Sequence, residues 1–179
     1  MGLTTITEAI AGLRDHGVRV ERSMNRYSFG DRKKCRELFE IAFLHCDKSV
    51  KEFQYLPEYE QIIQWMMDTK GTGLCLVGDC GRGKSTILMG VIPTVYYLAA
   101  KKILHGYQAF DIPEKVGFIL KSWAVLIDEV GTEVQCTGYG GNYEGFNRIM
   151  DNAEAELKPV FISTNLTKDQ IISRYGTRT

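Results

Sequence analysis

A chain of 179 residues that is 44% hydrophobic, 11% aromatic and 25% charged has the make-up of one packed globule with room for a small helical appendage. Lysine plus arginine equals aspartate plus glutamate at 22 each, so no overall field draws the chain to nucleic acid or membrane, and any polyanion contact is local. The five cysteines, at 35, 46, 75, 80 and 136, form no C-x-x-C pair and no metal-ligand spacing, which reads as reduced thiols in a cytoplasmic protein. No signal peptide is expected, since Glu8 and Arg14 interrupt any apolar run near the start. Its longest apolar stretch, Ile87 to Ala100, is too short for a bilayer and contains Pro93, so no membrane contact is expected.

In chain order, Thr5-Ile6-Thr7-Glu8 fits a capping box, and Ile6, Ala9, Ile10 and Leu13 recur at helical spacing as far as Gly17. A second helix from Asp31 places Cys35, Leu38, Phe39, Ala42 and Cys46 on one face. Pro57 suits the first turn of a third helix to about Asp68, ended by Gly71 and Gly73. A soft boundary near Lys51 divides an N-terminal helical segment, 1–50, from a core, 51–179. Beyond it, short apolar strands alternate with helices. Gly73–Gly78 is a strand in which Cys75 reads as buried, and a helix follows from Lys84, broken near Gly90 and Pro93. Ile103–Phe110 reads as a strand, then a short helix follows Pro113 and a buried strand spans Ala124–Asp128. Phe146, Ile149, Met150 and Ala153 make a helix face, Val160–Thr164 is the next strand, and Thr167 with Gln170 caps a last helix that ends at Gly176. This alternation predicts an α/β fold, a parallel sheet covered by helices on both faces.

Gly78-Asp79-Cys80-Gly81-Arg82-Gly83-Lys84-Ser85, followed by Thr86, satisfies G-x-x-x-x-G-K-[ST]. It lies between a strand and a helix, the context the motif requires. Glycines let such a loop curl until its backbone N–H groups face phosphate oxygens. Lys84 would reach the β- and γ-phosphates, and Ser85 would ligate Mg²⁺. Asp128, at the tip of the next buried strand, would hold Mg²⁺ through water, and Glu129 could polarise a water for attack. Asn165 sits at the tip of the following strand, where an amide can bond the attacking water or a phosphate oxygen. Two stretches are candidate single-stranded DNA contacts: the basic Arg14–Arg36 stretch with Tyr27 and Phe29 interleaved, a pattern that more often makes a solvated face, and the glycine-rich loop with Tyr139 and Tyr143.

The segments "GLCLVGDCGRGKST", "LIDEVGTE" and "FISTNLTKDQIISRYGTRT" together resemble the AAA+ ATPases. More narrowly they resemble the DnaC-like replicative helicase loaders, whose relatives include transposition helper and phage loader ATPases. The resemblance covers Phe53 to Thr179. It implies a RecA-like P-loop NTPase core that binds ATP or ADP with Mg²⁺, hydrolyses ATP, and forms a homo-oligomer when nucleotide is bound. It further implies work in DNA replication beside a replicative helicase, contacted through residues 1–50, and single-stranded DNA as a second partner. In the family the arginine of the G-x-R ending is the arginine finger, which assigns that role to Arg178 and leaves Arg174 without one. The family also carries one more strand beside the phosphate-loop strand, then a lid with a further arginine. Nothing here matches either, so a C-terminally truncated core is expected, with Gly73–Gly78 at or next to a bare sheet edge unless Val18–Arg22 fills the gap. Two other readings stand beside the loader: a transposition helper ATPase, and a nucleotide-gated adaptor that hydrolyses little.

Overall fold

The apolar run Val125-Leu126-Ile127 has side chains buried on both faces of its strand, the pattern of a central strand in a parallel sheet. The structure, a computed structural model, describes residues 3–18, 24–133, 136–138, 141–143 and 145–176, with backbone alone at 3–4, 136–138 and 141–143. Helix α1 (Leu3–Asp15) precedes α2 (Arg32–Cys46) and α3 (Tyr59–Met67). Strand β1 (Leu74–Val77) leads to a helical run made of α4 (Lys84–Thr86), a π-helical turn (Ile87–Val91) and α5 (Ile92–Ala100). Then come β2 (Tyr107–Gln108), α6 (Ile112–Lys121), β3 (Val125–Val130), a hairpin of β4 (Cys136–Gly138) and β5 (Gly141–Tyr143), α7 (Gly145–Glu156), β6 (Val160–Thr164) and α8 (Lys168–Tyr175).

The main sheet is wholly parallel in the order β1-β6-β3-β2, so the architecture is α/β with helices on both sides. Leu126 and Phe161 join one core with α2, α3 and α5. Val125 and Ile127 join the other, with α6, α7 and Tyr175 of α8. Among the described residues β1 pairs only with β6 and stands at the edge, the position expected for it. Among the described residues, too, no helix is long and apolar enough to cross a membrane.

Several expectations need correction. Cys75 is exposed, because β1 alternates half-buried Leu74 and Leu76 with exposed Cys75 and Val77; an edge strand has one covered face. Helix α1 begins at Leu3, ahead of the proposed cap, and leaves Ile6 55% and Leu13 45% exposed. The run after Lys84 does not break. Ile92 N–H bonds the Ile87 carbonyl five residues back, and this wide turn takes up Gly90 and Pro93 without a gap in the helix. The strand expected over Ile103–Phe110 contracts to two residues, which pair with Ile127 and Asp128.

Within residues 24–30 the two aromatic rings turn inward, while Met24, Asn25, Arg26 and Ser28 are exposed. Phe29 N–H bonds the Met66 carbonyl at 3.0 Å, while Tyr27 and Thr69 exchange bonds of 2.9 Å. Phe29 is 3% exposed and both rings meet Tyr96 edge-on at 5.1 Å, so neither is presented for stacking on a base. Helix α2 starts where expected, with Asp31 capping Lys34 N–H at 2.8 Å. Its buried face of Cys35, Phe39, Ala42 and Phe43 shares a core with α3, α5 and the sheet.

Candidate functional site

Glycines 78, 81 and 83 all take positive φ, at 147°, 83° and 75°. The loop therefore makes a sequence of turns that residues with a β-carbon rarely adopt, the kind of backbone that gathers N–H groups into an anion-binding concavity. Gly83 has a second constraint. A β-carbon there would lie 2.9 Å from Phe43 Cζ of α2, and the Tyr59 hydroxyl donates to the neighbouring Arg82 carbonyl at 3.3 Å. Helices α2 and α3 thus hold the loop from outside.

Lys84 folds back over that loop. Its Nζ donates to the carbonyls of Gly78 at 2.6 Å and Asp79 at 2.8 Å, and to Asn165 Oδ1 at 2.8 Å. Asn165, 81 residues further on, is brought there because β6 is the neighbour of β1; its amide also donates to Cys80 Sγ at 3.8 Å. Lys84 is therefore held by three neutral oxygens, an arrangement that an incoming anion can displace. Asp79, Cys80, Gly81, Arg82 and Ser85 are exposed, and Gly78, Gly83, Lys84 and Thr86 are half-buried.

The acidic pair takes its geometry from a bulge. Between Ile127 and Val130, β3 advances three residues while β6 advances two, from Ile162 to Thr164. Glu129 absorbs the extra step at φ 60°, which turns its side chain out of the sheet. Ser163 supports both acids, accepting from Glu129 N–H at 3.0 Å and donating to the Asp128 carboxylate. Asp128 is 2% exposed and lies behind Ser163, whereas Glu129 is exposed. The strand therefore runs past Asp128, where the sequence pattern ended it.

Glu129, Lys84, Ser85, Thr86 and Asn165 line one cleft of about 600 Å³. Comparisons of the chain with protein-family models, with curated proteins and with solved structures return no match.

The apolar side of the cleft went unseen in the sequence. Phe43, Val50, Phe53, Leu56 and Tyr59 line it, Phe43 and Tyr59 lying against the loop at Gly83 and Arg82, with the rings of Phe43, Phe53 and Tyr59 packed at 5.5–6.1 Å. Burial pushes the Tyr59 phenol up. Asp47, at the end of α2, accepts from Thr86 Oγ1 at 3.2 Å and from Ser49 through both its hydroxyl and its N–H. The Ser49 hydroxyl first, then its N–H, hold the Asp47 carboxyl below the usual carboxylate range. The D-x-S pattern at 47–49 was a legible local turn signal; its placement against Thr86 was not. Among the described residues, no group of three or more His, Cys, Asp or Glu could hold a metal ion. Arg178 and Tyr139 lie outside the described residues, as does the side chain of Tyr143.

Proposed function

We propose that this protein is an ATP-binding and hydrolysing P-loop ATPase of the AAA+ kind. The observation that carries the reading is the convergence of Lys84 and Asn165, from two neighbouring strands, in one cleft with Ser85 and Glu129. A backbone nest, a cation and a half-buried floor suit a triphosphate, and the half-buried Phe53 on the apolar side suits a planar base. Two hard oxygen donors would serve Mg²⁺: the exposed Ser85 hydroxyl directly, and the Asp128 carboxylate, 2% exposed, bonded to Ser163 and absent from the cleft lining, only through water. Their small number matches an ion that takes the rest of its shell from phosphate and water. When bound, Mg²⁺ would offset charge on the phosphates.

The chain's own residues then divide the work. The loop and Lys84 bind and orient the phosphates. In doing so Lys84 exchanges carbonyl partners for phosphate oxygens and releases Asn165, whose amide is free to orient a water. Glu129, turned out of the sheet by the bulge, accepts the proton from that water. Residues 43–59 screen the cleft from bulk solvent.

Titration calorimetry with MgATP and a phosphate-release assay test this. Lys84→Ala should lose nucleotide binding, because the charge bridging the β- and γ-phosphates is gone. Glu129→Gln should bind ATP and fail to turn over, since an amide cannot take the proton. Wild-type affinity in the first variant or a wild-type rate in the second would sink the assignment. Work as a replicative helicase loader, with the helicase and single-stranded DNA as partners, is carried by the sequence resemblance. Co-purification with a helicase instead of a transposase, and turnover stimulated by single-stranded DNA, separate it from the helper and adaptor readings.

A further inference from the structure

Glu133 is a buried acid, 3% exposed, outside the cleft, and its contacts lie in two places. One carboxylate oxygen accepts the Gly131 N–H at 2.7 Å, two residues beyond Glu129. That turn is short and closed: Thr132 donates to the Glu129 carbonyl from its hydroxyl at 2.9 Å and from its N–H at 3.2 Å. The other carboxylate oxygen accepts the Tyr175 hydroxyl and lies 3.6 Å from Arg174 Nε. Arg174 also donates to the Glu133 backbone carbonyl at 2.7 Å. Tyr175 is fixed from a third side, with its ring 4.7 Å from Phe146 and its carbonyl accepting from Asn147 at 3.4 Å. Burial, then the bond to Glu133, pushes the Tyr175 phenol up. Partners with so little access to water cannot be exchanged for it, so a shift at one end of this link is felt at the other.

We propose that Glu133 is a positioning residue that fixes the last turn of α8, from which the chain proceeds to Arg178, to the turn that carries Glu129. This rests on the ATPase reading above and on the arginine-finger role, exerted on a neighbouring subunit, that the resemblance implies for Arg178. Glu133 then links the water-activating end of the chain's own site to the arginine it offers a neighbour. The same contacts give Arg174 its role. It is spent on Glu133 inside its own domain and is not the arginine that reaches across.

Two variants test the link in assembled protein. Glu133→Gln keeps the volume but sets an amide donor against the Gly131 N–H or against Arg174 Nε, and in the second orientation reverses the bond to the Tyr175 hydroxyl. Tyr175→Phe keeps the ring on Phe146 and removes only the hydroxyl. Both should bind ATP as the wild type does and lose about 10²-fold in turnover, the scale of a small misplacement of a reacting group. Mixed with Lys84→Ala subunits, which lack their own site but keep a positioned arginine, each should recover part of the activity. Mixed with Arg178→Ala subunits, which share the defect, neither should. A wild-type rate in both variants would overturn the proposal. So would the same response to the two partners in mixtures that co-assemble, because a chain damaged in its own site or in its fold would not tell them apart. A wild-type chain that binds no ATP removes the ATPase reading and this inference together; a hydrolysing wild type with either overturning result removes this inference alone.

Discussion

At Glu129 the backbone takes a left-handed conformation, φ 60°, which costs a residue with a β-carbon about 1–2 kcal/mol. The bulge between β3 and β6 sustains it, because Ser163 takes the displaced N–H that the ladder no longer pairs. On the ATPase reading, this is strain kept in place at a reacting carboxylate, a function held against stability. Glu129→Gly should therefore raise the unfolding free energy by about 1 kcal/mol, seen as a higher Tm, while removing turnover. An unchanged or lower Tm would mean that the glutamate side chain itself supports the fold. The meeting of Lys84, Ser85, Glu129 and Asn165 in one cleft was legible because each lies in a local pattern, a glycine-rich loop or the tip of an apolar strand; Asp128, named by the same pattern, is instead buried behind Ser163 and does not line the cleft. The bulge was not legible, since it depends on how many residues β6 sets against β3, and strand composition does not record that.

At the scale of elements, close approach decides which strands can neighbour one another. A β-carbon on Gly73 would lie 1.7 Å from the Val160 carbonyl oxygen and 2.4 Å from its carbon. Backbone cannot swing aside as a side chain can, so Gly73→Ala should separate the start of β1 from β6. The cost should be about 3 kcal/mol in denaturant unfolding, the size expected of forced overpacking. A loss near zero would mean the strands have room that this geometry denies them. A gentler tie joins the extended segment 24–30 to the end of α3. The Arg26 guanidinium forks onto the Asp68 carboxylate, and this bond above all holds Asp68 below the usual carboxylate range. Because the folded pKa lies below the unfolded one, near 3.9, the stabilisation is complete above that value and fades as pH falls through the lowered pKa. Arg26→Ala should narrow the gap in Tm between neutral and acid pH, and identical pH profiles would deny the coupling. Both partners are solvent-accessible, so the effect is small. Helix faces such as Cys35-Phe39-Ala42 and Phe146-Ile149-Ala153 could be read from periodicity. What each face meets could not, and neither could the turning inward of Tyr27 and Phe29, whose polar surroundings in sequence suggest a solvated strip. The hairpin of β4 and β5 was also missed, because three-residue strands rich in glycine carry no clear alternation.

At the scale of the molecule, the two faces of the sheet lead in opposite directions. The helical run after Lys84 packs into the core containing Leu126 and Phe161, while Tyr175 packs into the core containing Val125 and Ile127. The chain thus passes Gly176 from the face opposite the loop's own helix. Gly176 takes φ 90° and ψ 174°, an extended form of the positive-φ region open to glycine. On the ATPase reading, the guanidinium of Arg178 then serves the phosphates of an adjacent subunit. An arginine finger is worth about 10³–10⁵ in rate, so hydrolysis should depend on assembly: dilute monomer binds ATP and turns it over slowly, and activity per chain climbs with concentration. Arg178→Ala should keep ATP affinity and lose turnover by a factor within that range. Mixing it with Lys84→Ala restores competent interfaces wherever a Lys84→Ala subunit offers its arginine to an intact phosphate loop. Phosphate release measured across a titration of the two inactive proteins should rise to a maximum at intermediate ratios. A flat line across the titration, in mixtures that sediment as joint assemblies, would mean that Arg178 does not act between subunits.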